Sequence, residues 1–188
     1  MRLFVAIEIP SSIRTTFAAS LKEMREIAPH AKWVRPENLH VTLKFLGHTD
    51  AGNLEKIGHS LHAVRSAQPV TLEFKGLGFF PNEKRARVLW AGTQSSANLR
   101  PLAEDIDRAM NRLGFPLEKR PFTPHLTLAR FNSPGLPPKI GEGVQRRVAY
   151  IFGALTADTF HLIESKLKPT GAEYTTVQSF PFVVENQL

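Results

Sequence analysis

The sequence contains no cysteine, which removes disulfides, thiolate metal sites and a cysteine nucleophile together. Long apolar runs are also missing. The opening stretch Leu3-Phe4-Val5-Ala6-Ile7 is broken by Glu8 and closed by Pro10, too short for a secretory core or a membrane span. It reads as a buried first strand, and no membrane partner is expected. Acidic residues are scarce relative to basic ones, 17 against 24, for a formal net charge of +7 and a pI near 10.0. That balance points toward a polyanion such as nucleic acid. The basic residues come in small groups, Lys84-Arg85-Arg87, Lys119-Arg120, Arg146-Arg147 and Lys166-Lys168, and a solvated surface explains any one of them equally well. Low-complexity tracts are absent. With 42% hydrophobic and 22% charged residues among 188, residues 1–188 suit one globular domain better than two small ones. A reducing cytoplasm is the expected location.

Periodicity supplies the elements. Ser11 or Ser12 can cap a helix running toward Ile27, with Ile13, Phe17, Leu21 and Met24 along one face. His40 to Phe45 reads as a strand, and Asp50 as the cap of a second helix striped by Leu54, Ile57, Leu61 and Val64. Val70 to Phe80 and Ala86 to Gly92 read as a hairpin around Pro81-Asn82-Glu83, followed by a helix from about Ala97 to Leu113 that Gly114 stops. His125 to Phe131 is another strand. Asn132 to Gly143 holds three prolines and three glycines, so a loop with at most a short weak helix is expected before Val148. Tyr150 to Leu155, Asp158 to Ser165 and Tyr174 to Phe182 read as closing strands, with Gly171 in a connection.

A tetrad occurs twice: His40-Val41-Thr42-Leu43 and, half a chain later, His125-Leu126-Thr127-Leu128. Strand alternation puts His40 and Thr42 on one face, with Val41, Leu43 and Phe45 on the other; His125 and Thr127 repeat this against Leu126 and Leu128. Two polar His-Thr faces on otherwise apolar strands suit opposite walls of a wet cleft between similar lobes. Histidine, with an ordinary pKa of about 6.5, can serve as acid in one copy and base in the other near neutral pH. Each threonine hydroxyl can donate to a phosphoryl oxygen beside the imidazole.

These motifs resemble those of the two-histidine phosphoesterases, specifically the bacterial and archaeal 2′-5′ RNA ligase branch. Leu3 to Ile7 resembles that family's first strand, His40 to Gly47 its first motif, and His125 to Arg130 its second. Gly78-Phe79-Phe80-Pro81 with Arg87-Val88-Leu89-Trp90 resembles its hairpin, and Phe160 to Leu167 with Gly171 and Tyr174 its closing strand pair. The resemblance implies an α+β fold of two pseudo-symmetric, intertwined lobes. Each lobe is an antiparallel sheet with helices outside, carrying one motif (40–43 and 125–128), and the cleft lies between. It further implies hydrolysis of RNA 2′,3′-cyclic phosphate ends to 2′-phosphomonoesters without metal or other cofactor, with His40 as proton donor and His125 as proton acceptor. tRNA fragments or small cyclic nucleotides are the expected substrates, and a monomer the expected state. Thr42 and Thr127 would hold phosphate oxygens, and Arg130 matches a family position suited to transition-state charge, although strict alternation turns it to the wrong face. Lys44, in phase with His40 and Thr42, is an alternative cation.

Three competing readings use other chemistry. His59 and His62 lie one helical turn apart, but no His-Glu-x-x-His or carboxylate-rich cluster accompanies them to make a metal hydrolase. A binding module could hold RNA ends without chemistry, and 2′-5′ ligation could run at the same site if an RNA hydroxyl outcompeted water. Aromatics such as Phe79, Phe80 and Trp90 could stack a base, although aromatic strand residues more often belong to a core.

Overall fold

A computed structural model describes residues 1–132, 136–169 and 171–183. Its strands are β1 (Arg2–Glu8), β2 (Lys32–Trp33), β3 (His40–His48), β4 (Val70–Phe80), β5 (Val88–Ser95), β6 (His125–Arg130), β7 (Ile151–Ala157), β8 (Thr159–Lys168) and β9 (Gly171–Pro181). The helices are α1 (Ser11–Ser20), α2 (Lys22–Ile27), α3 (Leu54–His62), α4 (Leu99–Asn111) and α5 (Pro138–Gln145). Two antiparallel sheets result, ordered β3-β1-β8-β9 and β2-β6-β5-β4-β7. We call these lobe A and lobe B; the fold is α+β with the expected two-lobed pseudo-symmetry.

The chain changes lobes repeatedly. Helix α1 follows β1 of lobe A yet packs on β7 of lobe B, and α4 follows β5 of lobe B yet packs on β3 of lobe A. Helix α3 lies against β9 and α4, while α5 rests on β4 and α2. Strand β1 is buried on both faces. Leu3, Val5 and Ile7 join the main core, whereas Phe4 and Ala6 form a small second cluster with Ile163 and Tyr174. That second cluster lies under His40.

Several elements depart from expectation. The first helix breaks at Leu21, whose φ of −100° and ψ of 0° separate α1 from α2. Neither Ser11 nor Ser12 caps it by side chain; Pro10 stands at the N-cap, and the Thr15 and Thr16 hydroxyls donate back to the Ser11 and Ser12 carbonyls. Asp50 does cap, accepting from the Gly52 N–H at 2.7 Å in a short turn that leads into α3. The clearest departure is α5, a helix of eight residues where a loop with at most a short weak helix was expected. Its glycines serve close packing: a Cβ at Gly141 would run into the Glu83 carboxylate, and one at Gly143 would stand 3.2 Å from Met24. Pro138 starts the helix, where its missing N–H costs nothing. Residues 133–135 of that segment lie outside the described residues.

Two β-bulges matter most. Opposite β1, Ala6 pairs with Thr42 and Val5 with Lys44, so Leu43 is the extra residue. Opposite β5, Trp90 pairs with Thr127 and Leu89 with Ala129, so Leu128 is the extra residue. A bulge sets two residues against one and inverts the alternation beyond it. The two bulges fall at the same place in the two tetrads.

Candidate active site

Before each bulge the strands behave as alternation requires. Val41, Leu43, Leu126 and Leu128 are buried, Thr42 and Thr127 are half-buried, and His125 is exposed. Beyond it the faces swap. Lys44 is buried instead of facing the cleft, and Phe45, expected in the core, is 58% exposed. Ala129 is likewise buried, and Arg130 emerges exposed on the face of His125 and Thr127. The bulge thus removes the objection to Arg130.

Lys44 does not serve as the alternative cation. Its Nζ lies 2.6 Å from Asp107 Oδ1, 3.2 Å from Glu118 Oε1 and 2.6 Å from the Pro116 carbonyl. Asp107 also accepts from the Glu118 N–H at 3.2 Å. Two carboxylates and a carbonyl consume the ammonium, as burial of a charge demands. The group ties β3, α4 and the approach to His125 together.

The two imidazoles are held alike. His40 Nδ1 is 2.7 Å from the Asn38 carbonyl, and His125 Nδ1 is 3.1 Å from the Thr123 carbonyl. A carbonyl only accepts, so Nδ1 carries the proton in each ring and Nε2 is left to exchange one. The supports differ in stiffness. Asn38 is buried and its side-chain amide donates to the Ala172 carbonyl at 2.7 Å, whereas Thr123 is exposed.

Surroundings separate the histidines further. His40 pairs in register with Glu8, and its ring packs on Phe4 at 4.7 Å and edge-on to Tyr174 at 5.2 Å. Burial in this setting lowers its pKa below the ordinary 6.5, and repulsion from His125 lowers it too, while the Asn38 carbonyl and Glu8 pull it back up. His125 sits in register with Gly92, which offers no side chain to cover it. On Tyr174, burial raises the hydroxyl pKa while the charges of Arg130 and Arg2 lower it. Arg130, borne by lobe B, therefore acts electrostatically on a lobe A side chain that packs on His40.

A cavity of about 970 Å³ gathers Thr42, Phe45, Trp90, His125, Thr127 and Arg130. His40 opens on a separate recess of about 140 Å³ with Glu8, Arg14, Asn38, Tyr174 and Thr176. Four residues proposed from sequence, Thr42, His125, Thr127 and Arg130, thus line one cavity; His40 does not line it and is linked to it through Thr42, two residues on along β3, and through the repulsion from His125. Alternation alone missed Phe45, and the tetrad search missed Tyr174, whose ring reaches His40 from β9, across β1 and β8 of the same sheet. His59 and His62 are exposed on α3, the latter edge-on to Phe180 at 5.4 Å. Among the described residues no three His, Asp or Glu side chains converge as a metal would need, and no helix is long and apolar enough to cross a membrane.

Comparison with known proteins gives the same duplication. The family model described as LigT like Phosphoesterase matches twice, over residues 7–90 and 92–174, one copy per tetrad. A protein of Archaeoglobus fulgidus named RNA 2′,3′-cyclic phosphodiesterase is 36% identical over 96% of this chain and 99% of its own length. One of that name from Aquifex aeolicus is 34% identical over 96% of each. A crystal structure of a Thermus thermophilus protein superposes with a TM-score of 0.78 at 30% identity, over 97% of this chain and 98% of that one. Escherichia coli LigT in complex with 3′-AMP superposes with a TM-score of 0.75 at 27% identity, over 95% and 96%. With both halves matched and each half carrying its own bulged His-x-Thr strand, this chain belongs to the LigT-like phosphoesterase family.

Proposed function

We propose that this chain hydrolyses RNA 2′,3′-cyclic phosphate ends to 2′-phosphomonoesters by acid-base catalysis between His40 and His125, without a metal. The observation that carries this reading is the matched histidine geometry: two imidazoles, each with Nδ1 tied to the carbonyl two residues before it, one lining the cavity that bears Thr42, Thr127 and Arg130 and the other standing two residues before Thr42 on β3. The names of the relatives supply the substrate class. The described residues gather no alternative metal cluster.

Attack by water forms one P–O bond and breaks the P–O3′ bond in line with it. His125 Nε2 accepts the water proton and His40 Nε2 gives one to O3′, an order that follows the family resemblance. Thr42 and Thr127 donate hydroxyl hydrogens to the non-bridging oxygens. The Arg130 guanidinium meets the charge that grows on them in the transition state. We place residues 1–188 in one domain of interlocked lobes, acting as a monomer in a reducing cytoplasm on RNA ends such as tRNA fragments or on small cyclic nucleotides.

One observation favours the opposite order of protons. Burial favours neutral His40, the form a base needs; as acid it must gain its proton with the anionic substrate. Sulfur in place of O3′ discriminates the two, because a thiolate leaves without protonation. Such a substrate rescues whichever histidine variant lacks the acid, and rescue of His125→Ala instead of His40→Ala reverses our order.

The decisive test is 31P NMR of a 2′,3′-cyclic nucleotide with the protein in EDTA. Conversion to the 2′-monoester resonance is expected. A persistent cyclic phosphate would sink the reading, and activity restored only by added metal would assign the reaction to a metal hydrolase.

A further inference from the structure

His40 is held in part by a strand with which its own strand never pairs. In lobe A the order β3-β1-β8-β9 sets β9 at the far edge, with β1 and β8 between it and the strand of His40. The sheet coils far enough for β9 to meet the surroundings of His40 across its face. Three residues of β9, spaced two apart, make that contact. The Ala172 carbonyl accepts from the Asn38 side-chain amide at 2.7 Å, the Tyr174 ring stands edge-on to His40 at 5.2 Å, and the Thr176 hydroxyl donates to Glu8 Oε1 at 2.7 Å. Glu8 is the register partner of His40. At the tip of the β8-β9 hairpin, Gly171 has a φ of +117°, and a Cβ there would stand 4.0 Å from Nε of Arg35, in the segment that leads to Asn38.

Asn38 joins that strand to the imidazole. It is buried, so its amide needs a partner inside the protein. The side chain finds one on β9, while the main-chain carbonyl of the same residue takes Nδ1 of His40 at 2.7 Å. The residue that selects the tautomer is thereby fastened by its own side chain to a strand of 11 residues. Lobe B is supported differently. There the carbonyl comes from Thr123, which is exposed. Strand β7, which stands in lobe B where β9 stands in lobe A, packs on α1, and among the described residues it contributes none to the cavity that His125 lines.

We propose that Asn38 is a positioning residue for His40: its side-chain bond to β9 holds the carbonyl that keeps the proton on Nδ1 and leaves Nε2 to exchange one with the substrate. This rests on the acid-base reading above and adds to it a residue that touches no reacting atom and works through the ring. A ring free to turn, or to move its proton between nitrogens, presents Nε2 productively for only part of the time. The chemical step slows by that fraction, whereas substrate binding, carried by the cavity, does not.

The test combines kinetics with ring spectra of Asn38→Ala. On a 2′,3′-cyclic nucleotide, kcat should fall about tenfold while KM stays within about twofold. The same substitution made in His40→Ala should cost nothing further, because a group that acts through the ring is silent once the ring is gone. Long-range 1H-15N correlation spectra at about pH 8, where imidazoles of ordinary pKa are neutral, read the tautomers directly. His40 should carry its proton on Nδ1 in the wild type and lose that preference in Asn38→Ala, while His125, tied to Thr123, keeps its own. Asn38→Ser, whose hydroxyl stops short of Ala172, should behave alike and stands in if Asn38→Ala does not fold. An equal loss of kcat in the His40→Ala background, an unchanged His40 tautomer, or a change at both histidines overturns the inference and leaves the phosphodiesterase reading intact. If no cyclic phosphate is opened, that reading fails and the ring spectra alone decide: a change confined to His40 supports the positioning role, and no change or a change at both histidines overturns it.

Discussion

Lobe A and lobe B carry the same strand with the same bulge and dress it differently. In lobe A the register partners of His40, Thr42 and Phe45 are Glu8, Ala6 and Phe4, and the histidine is enclosed by Phe4 and Tyr174. In lobe B the partners of His125, Thr127 and Arg130 are Gly92, Trp90 and Val88, and the histidine stands in solvent. Past the bulge one lobe presents an aromatic ring and the other a guanidinium. The difference teaches that duplication supplied a matched pair of histidines, while their surroundings supplied an asymmetry of the kind that the proposed reaction, with one attacking and one leaving oxygen, requires.

The largest effect should come from removing either histidine. His40→Ala and His125→Ala are each expected to lower kcat by about 10²- to 10⁴-fold, with unchanged far-UV circular dichroism. The double variant should be little worse than the single ones because the pair acts as a unit. A variant retaining near-wild-type turnover would break the equivalence of the lobes.

Arg130→Ala tests what lies past the bulge in lobe B. A loss of about 10²-fold in kcat is expected, with partial recovery in Arg130→Lys, which keeps the charge and forfeits the planar fork. A change in KM alone would move Arg130 from transition-state stabilisation to ground-state binding.

Lys44→Met probes the lobe A position that corresponds to Ala129. It leaves Asp107 and Glu118 facing each other without their cation. We expect a loss of about 3 kcal/mol in urea unfolding, at the low end for a buried pair because Glu118 is half exposed. A smaller loss would mean that the carboxylates relax into water.

The smallest effect concerns pH. His40 has a folded pKa below its ordinary 6.5, so the unfolded chain binds its proton first as pH falls. Stability is therefore complete above about 6.5 and declines as pH drops from there toward the folded value. In His40→Gln the melting temperature should fall less between pH 7 and pH 5 than in the wild type; equal falls would place the acid sensitivity elsewhere.

Much of this architecture was legible in the residues. The doubled tetrad put His125 and both threonines on the cavity face, because period-two alternation holds up to Leu43 and Leu128. It then fails by one residue, which is why Phe45 was placed in the core, Lys44 in the cleft and Arg130 on the wrong face. A bulge has no composition of its own: Leu43-Lys44 and Leu128-Ala129 look like ordinary strand. The helix at Pro138–Gln145 was expected to be at most short and weak, since glycine's low helix propensity is legible in the sequence but the close approach of Glu83 and Met24 that the missing Cβ permits is not. The Leu21 break and the two-residue strand Lys32–Trp33 arise from packing against α5 and β6, contacts that no local window contains.

The inserted leucine in each motif behaves like a frameshift that is read in three dimensions. Upstream of it the strand turns His and Thr to the cleft; downstream the same backbone addresses the opposite face, so inward and outward letters exchange meaning. Pairing Leu43 or Leu128 in register, with no bulge, would restore strict alternation and send Phe45 or Arg130 into the core, whereas deleting the leucine would leave both on the histidine face, because Val5 already pairs with Lys44 and Leu89 with Ala129. Each strand is thereby split at the leucine into two stretches that face the cleft in opposite phase and can be revised separately.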